Sequence, residues 1–492
     1  MFTYAKPSYA KPSARGWKLS AHLSQSGILR TSGHCHGLSQ MADFSATLRI
    51  ADVDDFISPA VECVLPIKPQ DSQSGLKFET DGPAVQIAVE NRFGQIVPRQ
   101  STAKITLNDC LACSGCITSA ETVLVEAQSV AELLRVVNAG SKTLIVSISP
   151  HSRASLAARF GLSTPSAAKR LSTFFKRELG AASVFDSSFA ADLALTEARH
   201  EFVKRFQAAK ASGSPTGNLP VLTSECPGWV CYAEKTQELI LPYMSTVRSP
   251  QQIMGAFVKR FQSDPDTNVY HVTVMPCADK KLEASRSEFQ SDVDLVLTTL
   301  EVAGLIEERV EDLGKVVPED DDASPVITAA EDSGSSGGYL DNVFKHAARE
   351  LFNVELDGSP LQFKQVGRNA DFQETSLVVD GRPVLRFARA YGFRNIQNLV
   401  RKIRSGSCPY HYVEVMACPS GCLNGGGQIR GVTLDAVRAS YRNGVEIRDP
   451  SLGAQRWYEE WVGDGPGSTA ARDFAHTSFR AVPKPDALLT KW

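Results

Sequence analysis

The stretch Glu414–Gln428, EVMACPSGCLNGGGQ, decides how this chain is read. It continues an apolar run, Tyr412–Val415, of strand length. CPSGC then sets two thiols, Cys418 and Cys422, four residues apart where Pro419 and Gly421 force the chain to turn. Gly425–Gly427 follows and lets backbone amides approach a bulky anionic cofactor. The same rhythm occurs twice upstream. Pro220–Leu222 leads into TSECPGW (223–229), which carries Cys226, and Tyr270–Met275 leads into MPCADKKLEASR (275–286), which carries Cys277. A single cysteine in a turn is ordinary. Three such loops, each following a strand, are hard to explain without a metal centre.

Outward from these loops the pattern repeats. Thr143–Ser149 reads as a buried strand broken at Pro150, with helical spacing in Arg153–Phe160 and Ser166–Leu179. This alternation predicts an α/β architecture with largely parallel strands, in which ligands sit beyond the carboxyl ends of strands. Nearer the N-terminus, Val85–Ile96 and Lys104–Leu107 read as short strands and Ser129–Val137 as a helix. Val317–Gly338 is acidic and Ser/Gly-rich. Its acidic part reads as a solvated loop, while SGSSGG, just before the helix expected at Tyr339–Leu351, can bring backbone close to a ligand. Tyr458–Trp492 reads as a polar tail with scattered aromatics.

A second constellation is DCLACSGC, with Cys110, Cys113 and Cys116 spaced by two residues. Three thiolates at this spacing can wrap one cluster, and a cubane needs a fourth. No cysteine follows in Ile117–Ala120, so Cys63 is the candidate. Structural zinc usually pairs two CxxC knuckles across a gap, and a thioredoxin-like site wants a single CxxC at a helix start. Both suit the triplet less well, though neither is removed by spacing alone.

Bulk properties set the frame. The chain has 492 residues, 42% hydrophobic and 22% charged, enough for two to three domains. A net charge of −3 gives no reason to expect nucleic acid or an anionic membrane as partner. No apolar run is long enough to predict a membrane span. The 11 cysteines form an odd count in a large chain, which fits a reducing compartment better than a disulfide framework. Residues 1–40 hold five Lys/Arg, seven Ser and no acid, and Met41 offers a second start before mixed-charge sequence. They are read as a disordered or mis-assigned extension, so Cys35 between two histidines is not taken as a ligand.

The three later loops resemble the cluster-binding signatures of iron-only hydrogenases, as do DVDLVLTTLE (292–301) and SGSSGGYLDNVFKHAAREL (333–351). TLNDCLACSGCITSAET, preceded by DDFISPAVEC, resembles more narrowly the hydrogenase-like cytosolic iron–sulfur assembly factors, also called the nuclear prelamin A recognition factor family. The resemblance covers roughly residues 50–492. It implies an α/β hydrogenase-like two-lobed domain with mostly parallel sheets (139–456, acidic loop 317–336). A small cluster segment (41–138) would precede it, and a small-subunit-like tail (457–492) would follow.

By the same resemblance, Cys63, Cys110, Cys113 and Cys116 hold an exposed [4Fe-4S] cluster. Cys226, Cys277, Cys418 and Cys422 hold a second, buried one. The implied role is delivery of clusters to cytosolic and nuclear apoproteins, between an early scaffold and a late targeting complex, with Trp492 as a docking residue. Three departures argue against hydrogen chemistry. Glu225 stands where active hydrogenases have a proton-relaying cysteine, Leu300 where Arg is expected, and Ile429 where Pro is expected. Lys280, which would hold a di-iron ligand, is retained. An iron-only hydrogenase with a di-iron site is therefore the competing reading. Cys231 and Cys408 fall outside both sets and are expected to be buried small residues.

Overall fold

The computed structural model describes residues 88–90, 96–98 and 119–482, except 213–218, 262–267, 290–291, 320–327, 330–334, 357–359, 368, 444–445 and 448. The chain divides into two compact units, Met1–Ala51 and Asp52–Trp492, and everything described lies in the second. Cys63, Cys110, Cys113, Cys116 and Trp492 lie outside the described residues, as does the strand expected at 104–107.

The described strands are β1 (Ala88–Glu90), β2 (Ile96–Pro98), β3 (Thr143–Ile148), β4 (Ser183–Asp186), β5 (Val221–Thr223), β6 (Val269–Met275), β7 (Leu295–Thr298), β8 (Thr328–Ala329), β9 (Lys364–Gln365), β10 (Phe372–Val379), β11 (Arg382–Tyr391), β12 (Tyr412–Met416) and β13 (Glu446–Ile447). Two sheets dominate. One is four-stranded, in the order β4-β3-β6-β7, with every pair parallel. The other is five-stranded, in the order β5-β12-β11-β10-β9. Its β5, β12 and β11 are parallel, β10 is antiparallel to β11, and β9 is antiparallel to β10. This sheet is therefore less parallel than the sequence suggests. The cause is a hairpin closed at Asp380–Gly381, where both residues have positive φ (50° and 73°), the conformation a tight two-residue turn needs.

Helix starts follow local chemistry. Ser129 caps Val130–Ala139, and its hydroxyl accepts the amide of Glu132. Pro150 opens a helix (Pro150–Arg159) behind the Ser149 cap, because at that position its missing N–H is no loss. Ser163 caps Thr164–Leu179 in the same way. Strand β7 passes into Thr299–Val310 through a capping box of Thr298 and Glu301.

Apolar cores lie against both sheets. Leu144, Val146, Leu171, Phe174, Val272 and Leu297 belong to the core beside the parallel sheet. Phe202, Phe344, Phe387 and Tyr412 belong to another, beside the mixed sheet. The latter also contains Trp457, Tyr458, Phe474 and Ala475. The polar tail read at 458–492 is thus packed as far as these residues. The expected boundary at 456/457 falls where the helix Pro450–Trp457 passes directly into the π turn Tyr458–Val462.

A cysteine-lined cavity between the sheets

Three strands from two sheets bring the loops together. Cys226 follows β5 and sits at the cap position of the helix Pro227–Thr236. Cys277 follows β6 and precedes the helix Asp279–Ala284. Cys418 and Cys422 follow β12 in a loop that turns through Ser420 (φ 59°) and Gly421 (φ 77°). All four cysteines line one cavity. Its wall also includes His151, Glu225, Asp279, Lys280 and Tyr339, none of which except Glu225 and Lys280 had a sequence signal pointing here.

The loops interlock through backbone. The amide of Gly427 donates to the Pro276 carbonyl at 2.9 Å, and that of Leu300 donates to the Gly427 carbonyl at 2.9 Å. A Cβ on Gly425 would lie 2.5 Å from the Pro276 oxygen, so no side chain fits between the two loops. A Cβ on Gly421 would lie 2.3 Å from the hydroxyls of Ser335 and Ser336. Ser336 accepts the Cys422 amide at 3.0 Å. The Ser/Gly segment before the helix Tyr339–Phe352 therefore does approach the site, as backbone and small hydroxyls. On the other flank, Ser224 accepts the Cys226 amide at 3.0 Å and donates to the Val415 carbonyl at 2.6 Å.

The electrostatics disfavour free thiolates. Burial raises the Cys226 thiol to about 11, with Asp279 adding to the shift. Burial, then Glu225, Cys226 and Cys418, push Cys422 far above an ordinary thiol. These sulfurs stay protonated unless a cationic centre displaces the protons. The Cys422 thiol lies 3.5 Å from Glu225 Oε1, and His151 Nε2 lies 4.0 Å from the same oxygen. His151 is stacked on Tyr441 and is held below an ordinary imidazole by burial; its Nε2 has no hydrogen-bond partner. Burial keeps Asp279 neutral, with its carboxyl raised to about 8. Lys280 is buried too. Desolvation opposes its charge, but Glu283, Glu225 and Cys277 outweigh that and raise it. Its Nζ lies 3.1 Å from Glu283 Oε2.

Among the described residues no three His, Cys, Asp or Glu side chains close on a point that could hold one metal ion. A mononuclear zinc centre needs that, because bonds of about 2.3 Å to tetrahedral sulfurs bring the ligands close together. A cluster spreads its ligands over a larger body. The donor set is four cysteines and the cradle is narrow glycine backbone, so these residues suit an iron–sulfur cluster better than a single ion.

The remaining sequence expectations divide. Ile429, in place of Pro, is buried in the core beside the parallel sheet. Leu300 acts through its amide. Cys231 and Cys408 are half-buried rather than buried, and burial raises both thiols, Cys231 to about 12.

A family profile, "Iron only hydrogenase large subunit, C-terminal domain", matches residues 142–426. A variant of FeFe-hydrogenase HydA1 from Chlamydomonas reinhardtii has the same fold, with a TM-score of 0.60 and 26% identity over 69% of this chain and 94% of that one. Cytosolic iron-sulfur assembly component 3 from Mus musculus is 46% identical, over 91% of this chain and 99% of its own length. Protein NAR1 from Arabidopsis thaliana is 43% identical, over 90% and 97%. With a hydrogenase-like domain over most of the described fold and assembly components matching nearly end to end, the chain belongs to the iron-only-hydrogenase-like family of cytosolic iron–sulfur assembly components.

Proposed function

We propose that this protein is a cytosolic iron–sulfur assembly factor that binds two [4Fe-4S] clusters and helps deliver clusters to cytosolic and nuclear apoproteins. Cys226, Cys277, Cys418 and Cys422 would hold the buried cluster. Cys63, Cys110, Cys113 and Cys116 would hold the other. The observation that carries the reading is that four cysteines from three distant loops line one cavity. A [4Fe-4S] cluster bound there would supply one-electron chemistry on a thiolate-held inorganic core. Around it, Gly425 and Gly427 let the loops close, Ser336 and Ser224 fix the backbone of two cysteines, and Lys280 with Glu283 sets the buried charge.

Partners would be the early scaffold and late targeting complex of the same pathway, with Trp492 as a docking residue, in cytoplasm and nucleus. Hydrogenase activity is not proposed. Glu225 places a carboxylate 3.5 Å from Cys422. The test is anaerobic purification with iron and sulfide counting and EPR, on wild type, Cys113→Ala and Cys422→Ala. About eight irons in wild type, with roughly half lost in each variant, is expected for two four-iron sites. Zinc, a single cluster, or iron untouched by either change would sink the ligand assignment. Carbonyl and cyanide infrared bands with hydrogen uptake would favour the hydrogenase reading instead.

A further inference from the structure

The helix Phe393–Arg404, FRNIQNLVRKIR, carries four cations and no acid. Its inner face is apolar and buried through Ile396, Leu399, Val400 and Ile403. Its outer side borders an open groove lined by Val366, Asn369, Phe372, Arg394, Arg401 and Lys402. Arg394 and Arg401 are exposed. Among the described residues, no carboxylate pairs with Arg394, Arg401, Lys402 or Arg404. Elsewhere on the surface, Arg135, Arg159, Arg177, Arg438 and Arg456 do meet acids.

Helix electrostatics explain only part of the cluster. Arg401, Lys402 and Arg404 lie in the last turn, where cations complement the helix dipole. Arg394 lies in the first turn, where a cation is disfavoured. Its presence needs a reason outside the helix. The groove supplies one: Arg394, Arg401 and Lys402 line it together with Val366, Phe372 and Leu399. Lys402 is held over the rings of Phe372 and Tyr410, at 5.7 and 5.9 Å from their centroids. One charge is thus fixed in place rather than free to swing away. The strand at this end of the sheet, β9, is an edge strand with exposed Lys364 and Gln365.

We infer that this groove docks an acidic, extended segment of a partner protein. Matching charge would set the register, and the apolar lining would take one or two side chains. The cations of the groove come from one helix and stand beside the apolar Val366 and Phe372, which suits a peptide with both acidic and apolar side chains, so a peptide is the occupant argued for. The position is informative. Asp371, beside the groove, accepts the amide of Ser420 at 2.8 Å, and Ser420 lies between Cys418 and Cys422. Asn369 accepts the amide of Asp371 at 2.9 Å. A partner held here would lie against the outer side of the CPSGC loop. The inference does not depend on which cofactor that loop holds.

The test uses the full-length protein and a fluorescent ten-residue Glu/Leu peptide, with a ten-nucleotide single strand and a Lys/Leu peptide as comparison probes, at low and high salt. The variant is Arg394→Glu with Arg401→Glu. The control is Arg135→Glu with Arg456→Glu, two exposed cations on other helices. The expected result is binding of the acidic peptide that weakens at least tenfold in the groove variant, weakens with salt, and stays within twofold in the control. A crosslinkable acidic peptide should label residues 364–372 or 394–405. Equal loss in both variants, no change in the groove variant, or labelling elsewhere overturns the proposal. So does tighter binding of the oligonucleotide through the same two arginines. Circular dichroism of both variants establishes that lost binding is not lost folding.

Discussion

Replacing Gly425 with Ala tests how tightly the cysteine loops are locked. The added Cβ would sit 2.5 Å from the Pro276 oxygen and 3.1 Å from the Cys422 oxygen. Both neighbours are backbone, so neither can rotate aside. Relief requires the loop around Pro276–Cys277 to move away from the loop around Cys422–Gly425. That movement stretches the bond from the Gly427 amide to the Pro276 carbonyl, now 2.9 Å. Overpacking of this kind costs about 1–3 kcal/mol, and loss of one hydrogen bond adds about 1 kcal/mol. The sum is about 2–4 kcal/mol, a fall in Tm of at least 4–8 °C on the roughly 2 °C per kcal/mol expected for larger domains. Gly304→Ala is the matched control. Gly304 is in a helix, and its Cβ would meet nothing within 4 Å. It should stabilise by about 0.5–1 kcal/mol, because Ala is the better helix residue. Denaturation of the metal-free proteins measures both. Iron counting on the loaded Gly425→Ala protein should show about half the metal lost, since Cys277 and Cys422 sit on the two loops forced apart. A Gly425→Ala protein as stable as wild type, with full iron, would refute the claim that contact between these two loops builds the site.

Three further outcomes follow from buried polar groups. His271 accepts from or donates to Ser147 at 2.7 Å through Nε2 and lies 3.0 Å from the Asp292 carbonyl through Nδ1; burial lowers it to about 4. Its folded value is below the unfolded one near 6.5, so the unfolded chain binds the extra proton, and stability should fall by about 3 kcal/mol as pH drops from 6.5 to 4. His271→Gln should flatten that slope in urea titrations across the window, and an unchanged slope would assign it elsewhere. Arg153 and Asp186 form a buried ion pair, so Arg153→Met should cost about 3–5 kcal/mol by stranding the Asp186 charge. Adding Asp186→Asn should recover part of that loss, which a double-mutant cycle by chemical denaturation would read. Glu225→Gln replaces a carboxylate 3.5 Å from Cys422, so the midpoint potential of the cluster proposed there, followed by EPR, should rise. Lys280→Met should lower it, and two unmoved potentials would make both residues mere packing.

Much of the architecture was legible because its signals are local. The strands ending at Thr223, Met275 and Met416 are short apolar runs, each stopped by a Cys–Pro, Pro–Cys or Ala–Cys turn, and such runs announce themselves without tertiary information. The hairpin of β10 and β11 was missed although Asp380–Gly381 is a strong turn signal, because the flanking FQETSLVV and RPVLRFARAY alternate only in part; the buried positions continue without a break from Phe387 to Tyr391. His151 had no signal at all. One histidine after a helix-starting proline looks like any other, and its relation to Glu225 arises only when two sheets meet. The C-terminal segment misled through composition: Trp457, Tyr458 and Phe474 are few among polar neighbours, but all three face one core.

The three departures from the hydrogenase pattern are physically unequal, and that inequality supports an assembly role. Ile429 puts an apolar side chain into an apolar core, a packing change that leaves the cavity's charge as it was. Leu300 meets the Gly427 carbonyl through its backbone amide, a bond any residue but proline could make. Glu225 alone reaches a cysteine. It brings a carboxylate into a buried space that already holds Glu283, where Lys280 is the adjoining cation. Four thiolates on a cluster add further negative charge. A second anionic group beside Cys422 would therefore meet repulsion as well as an occupied volume. The loops keep what a four-cysteine cluster requires, namely glycine clearance and fixed cysteine backbones. Under the proposed reading, the carboxylate of Glu225 beside Cys422 is the departure that would oppose a further anionic group there.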